Sequence, residues 1–201
     1  YDELINSSGK VVITKDEYDK AYKASQKINF AFKDPDGEVY TKFPIIFEYM
    51  GRKFKCEIDK FIINNEKKVV YLYDYKKSSF IETFISEQYL KLFYYIQGGL
   101  YKYALNEYIK KEYKGYSIEN MAFRVMDSEG IYDPLTYQMT EDHYRQAFSG
   151  FYVGNRYYKG IDQIISEIEI NEKEGTWSKS AENIINQGIV KLPYFKYMIN
   201  E

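Results

Sequence analysis

Hydrophobic and polar positions follow a helical period at the start of this chain, with Tyr18, Ala21, Tyr22 and Ser25 on one stripe. Thr14 and Glu17 stand three apart ahead of that stripe, the spacing of a capping box, which predicts a helix over 14–27. Asp34-Pro35-Asp36-Gly37 then carries turn chemistry: proline fixes one dihedral and glycine permits a positive one. Residues 43–50 and 53–63 are rich in aromatic and β-branched side chains and are separated only by Gly51-Arg52, which predicts a tight hairpin. A polar turn at 64–68 leads into Val69-Val70-Tyr71-Leu72-Tyr73-Asp74-Tyr75-Lys76, apolar on both faces until its end, as in a strand covered on both sides.

Helical spacing returns downstream, where Leu90, Phe93, Tyr94, Gln97, Tyr101, Leu105 and Tyr108 recur on one face, predicting a helix capped by Ser86 and running to about 112. Gly115 ends it, and 120–126 reads as a fourth strand, parallel to the third if the helix is a crossover. From Thr140 to about residue 174 the pattern is mostly helical, interrupted by Gly150, Gly154 and Gly160. The order predicts an α/β fold, an αβββαβ core with a central mixed sheet flanked by helices, in one domain of 201 residues. The core is expected over about 14–126 and a C-terminal helical part over about 138–201.

Composition narrows the classes. A hydrophobic fraction of 45% with 29% charged residues is globular, and no run of apolar residues is long enough to span a bilayer, so no membrane association is expected. The 24 tyrosines and 13 phenylalanines supply aromatic packing on both faces of a sheet. A net charge of -2 neither favours nor opposes a polyanionic partner. Cys56, the single cysteine, excludes an intrachain disulfide and multi-cysteine zinc or iron–sulfur sites, and fits a reducing cytoplasm. The sequence opens on Tyr1 rather than Met, so residues before it are expected to matter. The absence of a G-x-x-x-x-G-K-[ST] loop removes a P-loop motor from consideration.

Chemistry enters with the period of two along strands, which places Glu57 and Asp59 on one face of the second strand and Asp74 and Lys76 on one face of the third. If those strands are neighbours, carboxylate oxygens converge into a hard-oxygen site suited to Mg²⁺ or Mn²⁺, beside a lysine able to orient a water. That combination suits phosphodiester hydrolysis.

The run Glu48, Cys56-Glu57-Ile58-Asp59, Tyr73-Asp74-Tyr75-Lys76-Lys77-Ser78 and Gln97-Gly98-Gly99-Leu100-Tyr101 resembles the PD-(D/E)xK nucleases of the RecB and exonuclease VIII type. That family carries an aspartate at one strand end, Asp-Tyr-Lys-Thr at the next, and Gln-x-x-x-Tyr on the following helix. The resemblance covers roughly 43–105, and extends more weakly to Gly175-Thr176-Trp177. It implies Asp59 and Asp74 as metal-binding acids, Lys76 as the catalytic lysine, Gln97 and Tyr101 as residues that brace the site, and Glu48 or Glu57 as further metal ligands. Lys77 replaces a common threonine, and Asp16, Glu17 and Asp19 give no convincing match to the acid or histidine that some members carry on the first helix.

The function implied is a metal-dependent DNA exonuclease of phage-type recombination acting on duplex ends. A single-strand annealing protein and a homo-oligomer are its implied partners. A structure-specific endonuclease and a non-catalytic DNA-binding module of the same fold are the alternatives. The residues also admit plain structural roles: a strand-end ion pair for Asp59 and Lys76, a buried amide for Gln97, aromatic core for Tyr101 and a solvated acid for Glu57. His143 receives no role.

Overall fold

The first helix, α1 (Lys15–Ala31), begins where its capping box closes: the Thr14 amide donates to Glu17 Oε2 at 2.6 Å, and the Glu17 amide donates to Thr14 Oγ1 at 3.2 Å. The helix runs four residues beyond the predicted end, because Phe32 still donates to the Ile28 carbonyl before the Asp34-Pro35 turn stops it. In this computed structural model, residues 13–79, 81–127 and 130–177 are described, together with residue 185. They fall into two compact units that divide after Ala147.

Three strands follow α1 in the first unit. These are β1 (Glu38–Tyr49), β2 (Arg52–Asn64) and β3 (Val69–Ser78). The β1–β2 hairpin turns through Met50-Gly51 rather than Gly51-Arg52: Tyr49 pairs with Arg52, and Met50 and Gly51 both have positive φ, 49° and 70°. That is the dihedral signature of a two-residue turn whose twist matches the strands. One residue's difference in the turn moves the pairing of the two strands by two.

β3 exchanges partners along its length. Its first half pairs antiparallel with β2, up to Lys60↔Tyr73. Its second half pairs parallel with β5 (Ala122–Asp127), from Tyr73↔Ala122 to Ser78↔Asp127. The parallel crossover is as the sequence predicts. Two short strands lie outside the prediction: β4 (Ser117–Ile118), beside the start of β3, and β6 (Leu135–Gln138), antiparallel to β5. The result is a mixed six-stranded sheet with helices against it.

The long helix is shorter than its hydrophobic stripe implies. Instead of starting at Ser86, the chain makes a π-helical turn (Ile85–Tyr89), breaks, and enters α2 (Tyr94–Glu112) only after Phe93, which is left-handed at φ 57°. Leu90 donates to the Ile85 carbonyl, the wide spacing of a π turn, while Tyr89 is buried and Gln88 donates to Ser78 Oγ at 2.8 Å. These anchors hold 85–89 against the end of β3, and α2 starts afresh. Its buried side includes Tyr95, Gly98, Gly99, Ala104, Leu105 and Ile109, in a core shared with Ile58, Phe61, Leu72 and Phe123 of the sheet. A Cβ on Gly98 would collide with Met139 Sδ and sit 3.2 Å from Met121 Sδ, so glycine sets how closely α2 approaches.

The opposite face of β3 is fixed by Arg124. Its guanidinium donates to Asp34 Oδ1 at 2.7 Å and to Tyr75 OH at 3.0 Å, and lies 3.7 Å from the Tyr73 ring centroid. Burial alone would raise the Asp34 carboxyl, but Lys60 and Arg124 hold it below its ordinary range. This cluster ties the loop after α1 to β2, β3 and β5.

Helix α3 (Glu141–Ser149) crosses the division between the units. The predicted helical run then gives way to a hairpin, β7 (Phe151–Val153) and β8 (Arg156–Tyr158), before α4 (Ile161–Glu174). Gly150 and Gly154 have positive φ, 79° and 58°, which suits a hairpin's ends and not a continuing helix. The glycines that looked like interruptions are punctuation. Residues 178–184 and 186–201 of the expected C-terminal helical part lie outside the described residues.

Candidate active site

Asp59 and Asp74 meet at the fork where β2 and β3 part. One step beyond Lys60↔Tyr73 the register would set Asp59 opposite Asp74, and there the ladder stops. The backbone amide freed at the opening is taken by a side chain: Tyr75 N–H donates to Asp59 Oδ2 at 3.0 Å. Asp59 Oδ1 accepts from Lys42 Nζ at 2.6 Å. Burial pushes the Asp59 carboxyl up, but Lys42 and the Tyr75 amide outweigh it and hold the group below its ordinary value.

Asp74 is the opposite case. It is 1% exposed, and burial is the largest influence on it; Lys76 opposes that push and the neighbouring Asp59 adds to it, so the carboxyl is pushed up to about 6. Gln97 donates through Nε2 to Asp74 Oδ1 at 3.2 Å and to Tyr101 OH at 2.9 Å, so one amide joins the helix to the acid. Lys76 Nζ lies 2.7 Å from Asp74 Oδ2 as an ion pair without hydrogen-bond alignment, leaving that buried oxygen with no hydrogen bond. The ammonium also sits 4.3 Å from the Tyr94 ring centroid, which positions it from the helix side.

Of the residues singled out from the sequence, Asp59, Asp74, Lys76, Gln97 and Tyr101 therefore come together. Glu48 does not. It is exposed on β1 and pairs with Lys53, six residues along the strand from Lys42, which is about 20 Å at strand rise. Glu57 is exposed and stands two residues, about 7 Å, from Asp59 along β2. Among the described residues no group of three or more acid, histidine or cysteine side chains is placed to hold a metal ion. What remains is a two-carboxylate site. His143 serves as a helix cap, its Nδ1 accepting from the Thr140 amide at 3.0 Å.

Two residues at the site went unnoticed in the sequence. Lys42 is 69% exposed at its side chain and brings a second cation to the acids from β1. Its signal is its register against Asp59, which exists only once the Met50-Gly51 turn is known. Tyr94 was placed on the helical stripe, yet nothing in the stripe distinguishes it from core aromatics.

The donor set suits a hard divalent cation. Mg²⁺ is commonly held by one or two carboxylates, with waters and substrate phosphate completing its shell, and the buried Asp74 Oδ2, which forms no hydrogen bond and has the Lys76 ammonium 2.7 Å away, is an oxygen of the kind such a cation takes.

No protein-family model matches the chain, and no curated protein matches it. Among solved structures, a protein from Eubacterium rectale that carries the provisional name exonuclease superposes with a TM-score of 0.50 at 12% identity, over 96% of this chain and 71% of its own. The protein SSO0001 aligns over 65% of this chain and 56% of its own, at 13% identity and a TM-score of 0.35, too distant to bear on the reading. The chain thus has an α/β fold, a central mixed sheet flanked by helices, in common with the first of these. Among the described residues, no helix is long and apolar enough to cross a membrane.

Proposed function

We propose that this protein is a metal-dependent DNA nuclease related to the exonuclease VIII type, hydrolysing phosphodiester bonds at DNA ends. The observation that carries the reading is the fork: Asp59 and Asp74 at the parting of two strands, Lys76 on the same strand as Asp74, and Gln97 holding Asp74 from the facing helix. The provisional name of the Eubacterium rectale protein, whose fold it shares, supports the same class. DNA is the substrate, and Mg²⁺ or Mn²⁺ the cofactor, held by Asp59 and Asp74.

When bound, the cation offsets the charge of the two carboxylates and of the phosphate and lowers the pKa of a water. The chain's own residues do the rest. Gln97 fixes Asp74 by one oxygen and so leaves the other directed toward Lys76. Lys76 places a positive charge where negative charge grows on the phosphate as water attacks phosphorus and the bond to the 3′ oxygen breaks. Lys42, exposed at the rim, exchanges its bond to Asp59 for a phosphate oxygen of the incoming strand.

End-labelled linear and closed circular duplex DNA, incubated with Mg²⁺ or Mn²⁺ and with EDTA, test this directly. The expected result is metal-dependent loss of the linear form alone, reduced about 100-fold or more by Asp74→Asn and by Lys76→Ala. Loss of circles as well would make the enzyme an endonuclease. Intact DNA in every lane with the protein still bound to it would assign a non-catalytic DNA-binding module.

A further inference from the structure

A groove of about 470 Å³ opens between the β1–β2 hairpin and the start of α2. Phe47, Phe54, Phe93, Ile96 and Leu100 supply its apolar walls, and Gln97 and Tyr101, which hold Asp74 from the helix, line the same groove. Through those two residues it borders the catalytic fork. Phe47 and Phe54 stack at 5.5 Å between centroids and form one aromatic wall. The other is Phe93, 51% exposed and left-handed at φ 57°.

That conformation calls for a reason. A bulky residue at positive φ is strained, and glycine or asparagine would hold the same junction at less expense. Phe93 makes no side-chain capping bond to α2; the residue is half exposed, and its ring meets that of Tyr95 at 6.0 Å between centroids. What the residue supplies is an aromatic surface at the groove, one helical turn before Gln97.

We infer that this groove is a subsite for an unpaired nucleobase adjoining the cleaved phosphodiester, with Phe93 as its stacking residue. A nucleobase matches the groove because its flat faces are apolar and stack on aromatic rings, while its sugar and phosphate remain outside, toward Lys76 and Lys42. The inference rests on the nuclease reading and narrows it: the strand must be single or frayed where it enters. Single strands and overhangs are then better substrates than blunt duplex.

The test compares wild type, Phe93→Gly and Phe93→Trp on labelled single strands that carry either a natural base or an abasic sugar beside the cleaved bond, with thermal unfolding measured in parallel. Binding of an oligonucleotide carrying the fluorescent base aminopurine, in EDTA, gives a readout that needs no catalysis. Phe93→Gly is expected to unfold close to wild type, since relief of the left-handed strain offsets loss of the ring's contact with Tyr95, yet to raise KM on the natural strand about 5- to 150-fold. On the abasic strand wild type and variant should converge, because the stacking partner is already gone. Phe93→Trp should keep the natural-strand KM and the aminopurine quench. If wild type cleaves and Phe93→Gly leaves KM unchanged, or raises it equally on the abasic strand, the subsite is refuted while the nuclease stands. Quenching that depends on Phe93 in a protein that cleaves nothing would support the subsite and overturn the catalytic reading. Neither cleavage nor binding would remove both.

Discussion

Replacing Asp74 by asparagine removes a charge that the fold resists, and the effect is measurable without substrate. The Asp74 carboxyl is pushed up to about 6 in the folded protein, mainly by burial, against an ordinary value near 4 in an unfolded chain. The folded state therefore holds its proton over a window, from about pH 4 to 6, in which the unfolded state has released it. Stability is highest below that window and falls as pH rises through it. That difference corresponds to about 3 kcal/mol, or roughly 6–12 °C in Tm for a chain of this size. The substituted amide does not titrate. The ion pair with Lys76 forms only as Asp74 ionises, so its contribution is already contained in the raised value, and any remaining difference between the side chains that does not titrate cancels when the two proteins are followed against pH. Thermal unfolding of both, in EDTA from pH 4 to 8, should show the variant gaining on wild type by about that interval and reaching a plateau above pH 7. A difference that stays flat with pH would refute the reasoning, since it would mean that Asp74 ionises in the fold as readily as in water. Excess Mg²⁺ at pH 7 should raise wild type more than the variant, because only wild type presents both carboxylates to the cation.

Other substitutions probe the parts around it. Gln97→Ala should lower kcat about 10- to 100-fold with little change in KM, as expected of a residue that orients the acid rather than binds DNA; single-turnover kinetics would show it. Lys42→Ala should weaken DNA binding and reduce the slope of log affinity against log salt by about 1, a value read from salt titrations, whereas an unchanged slope would leave Lys42 without a phosphate contact. Met50→Asn should stabilise by about 0.5–1 kcal/mol and Gly51→Ala destabilise by about 1–2 kcal/mol, because both turn positions have positive φ; urea unfolding measures both. Gly98→Val should cost about 1–3 kcal/mol by overpacking against Met139 and Met121, and activity should fall with it as Gln97 is displaced from Asp74.

The acids and the lysine were legible because strand period puts Asp74 and Lys76 on one face of β3, with Asp59 near the matching end of the strand before it, and helical period sets Gln97 and Tyr101 one turn apart. Their meeting needed only that β2 and β3 be neighbours, which the short polar turn at 64–68 implies. Lys42 was not legible, because its pairing opposite Asp59 depends on which two residues make the first hairpin turn. Gly51-Arg52 would have set Pro44 there instead. The break ahead of α2 was hidden for another reason: Phe93 fits the hydrophobic stripe, and its left-handed backbone contradicts the preference of its side chain. Glu48 misled in the opposite way. It occupies the expected place in the order of motifs, but six strand residues separate it from the position that faces Asp59.

Because β3 leaves β2 at the fork, Arg52–Asp59 of β2 have only β1 as a ladder partner among the described residues, and the far part of the hairpin extends as a two-stranded arm. An isolated ribbon of this kind is marginal in water. What steadies it is α2, through Tyr103, whose ring lies 5.9 Å from Phe47 and 4.9 Å from Tyr49 and whose hydroxyl donates to the Glu48 carbonyl at 3.4 Å. The change from one ladder partner to two falls at Lys60. Backbone amides of the arm should exchange with solvent by local breathing, while those of 60–64, set between two strands, wait for global unfolding. Beside the acids, then, the sheet is at its thinnest in backbone pairing, and side-chain packing on α2 takes over where the β2–β3 ladder ends.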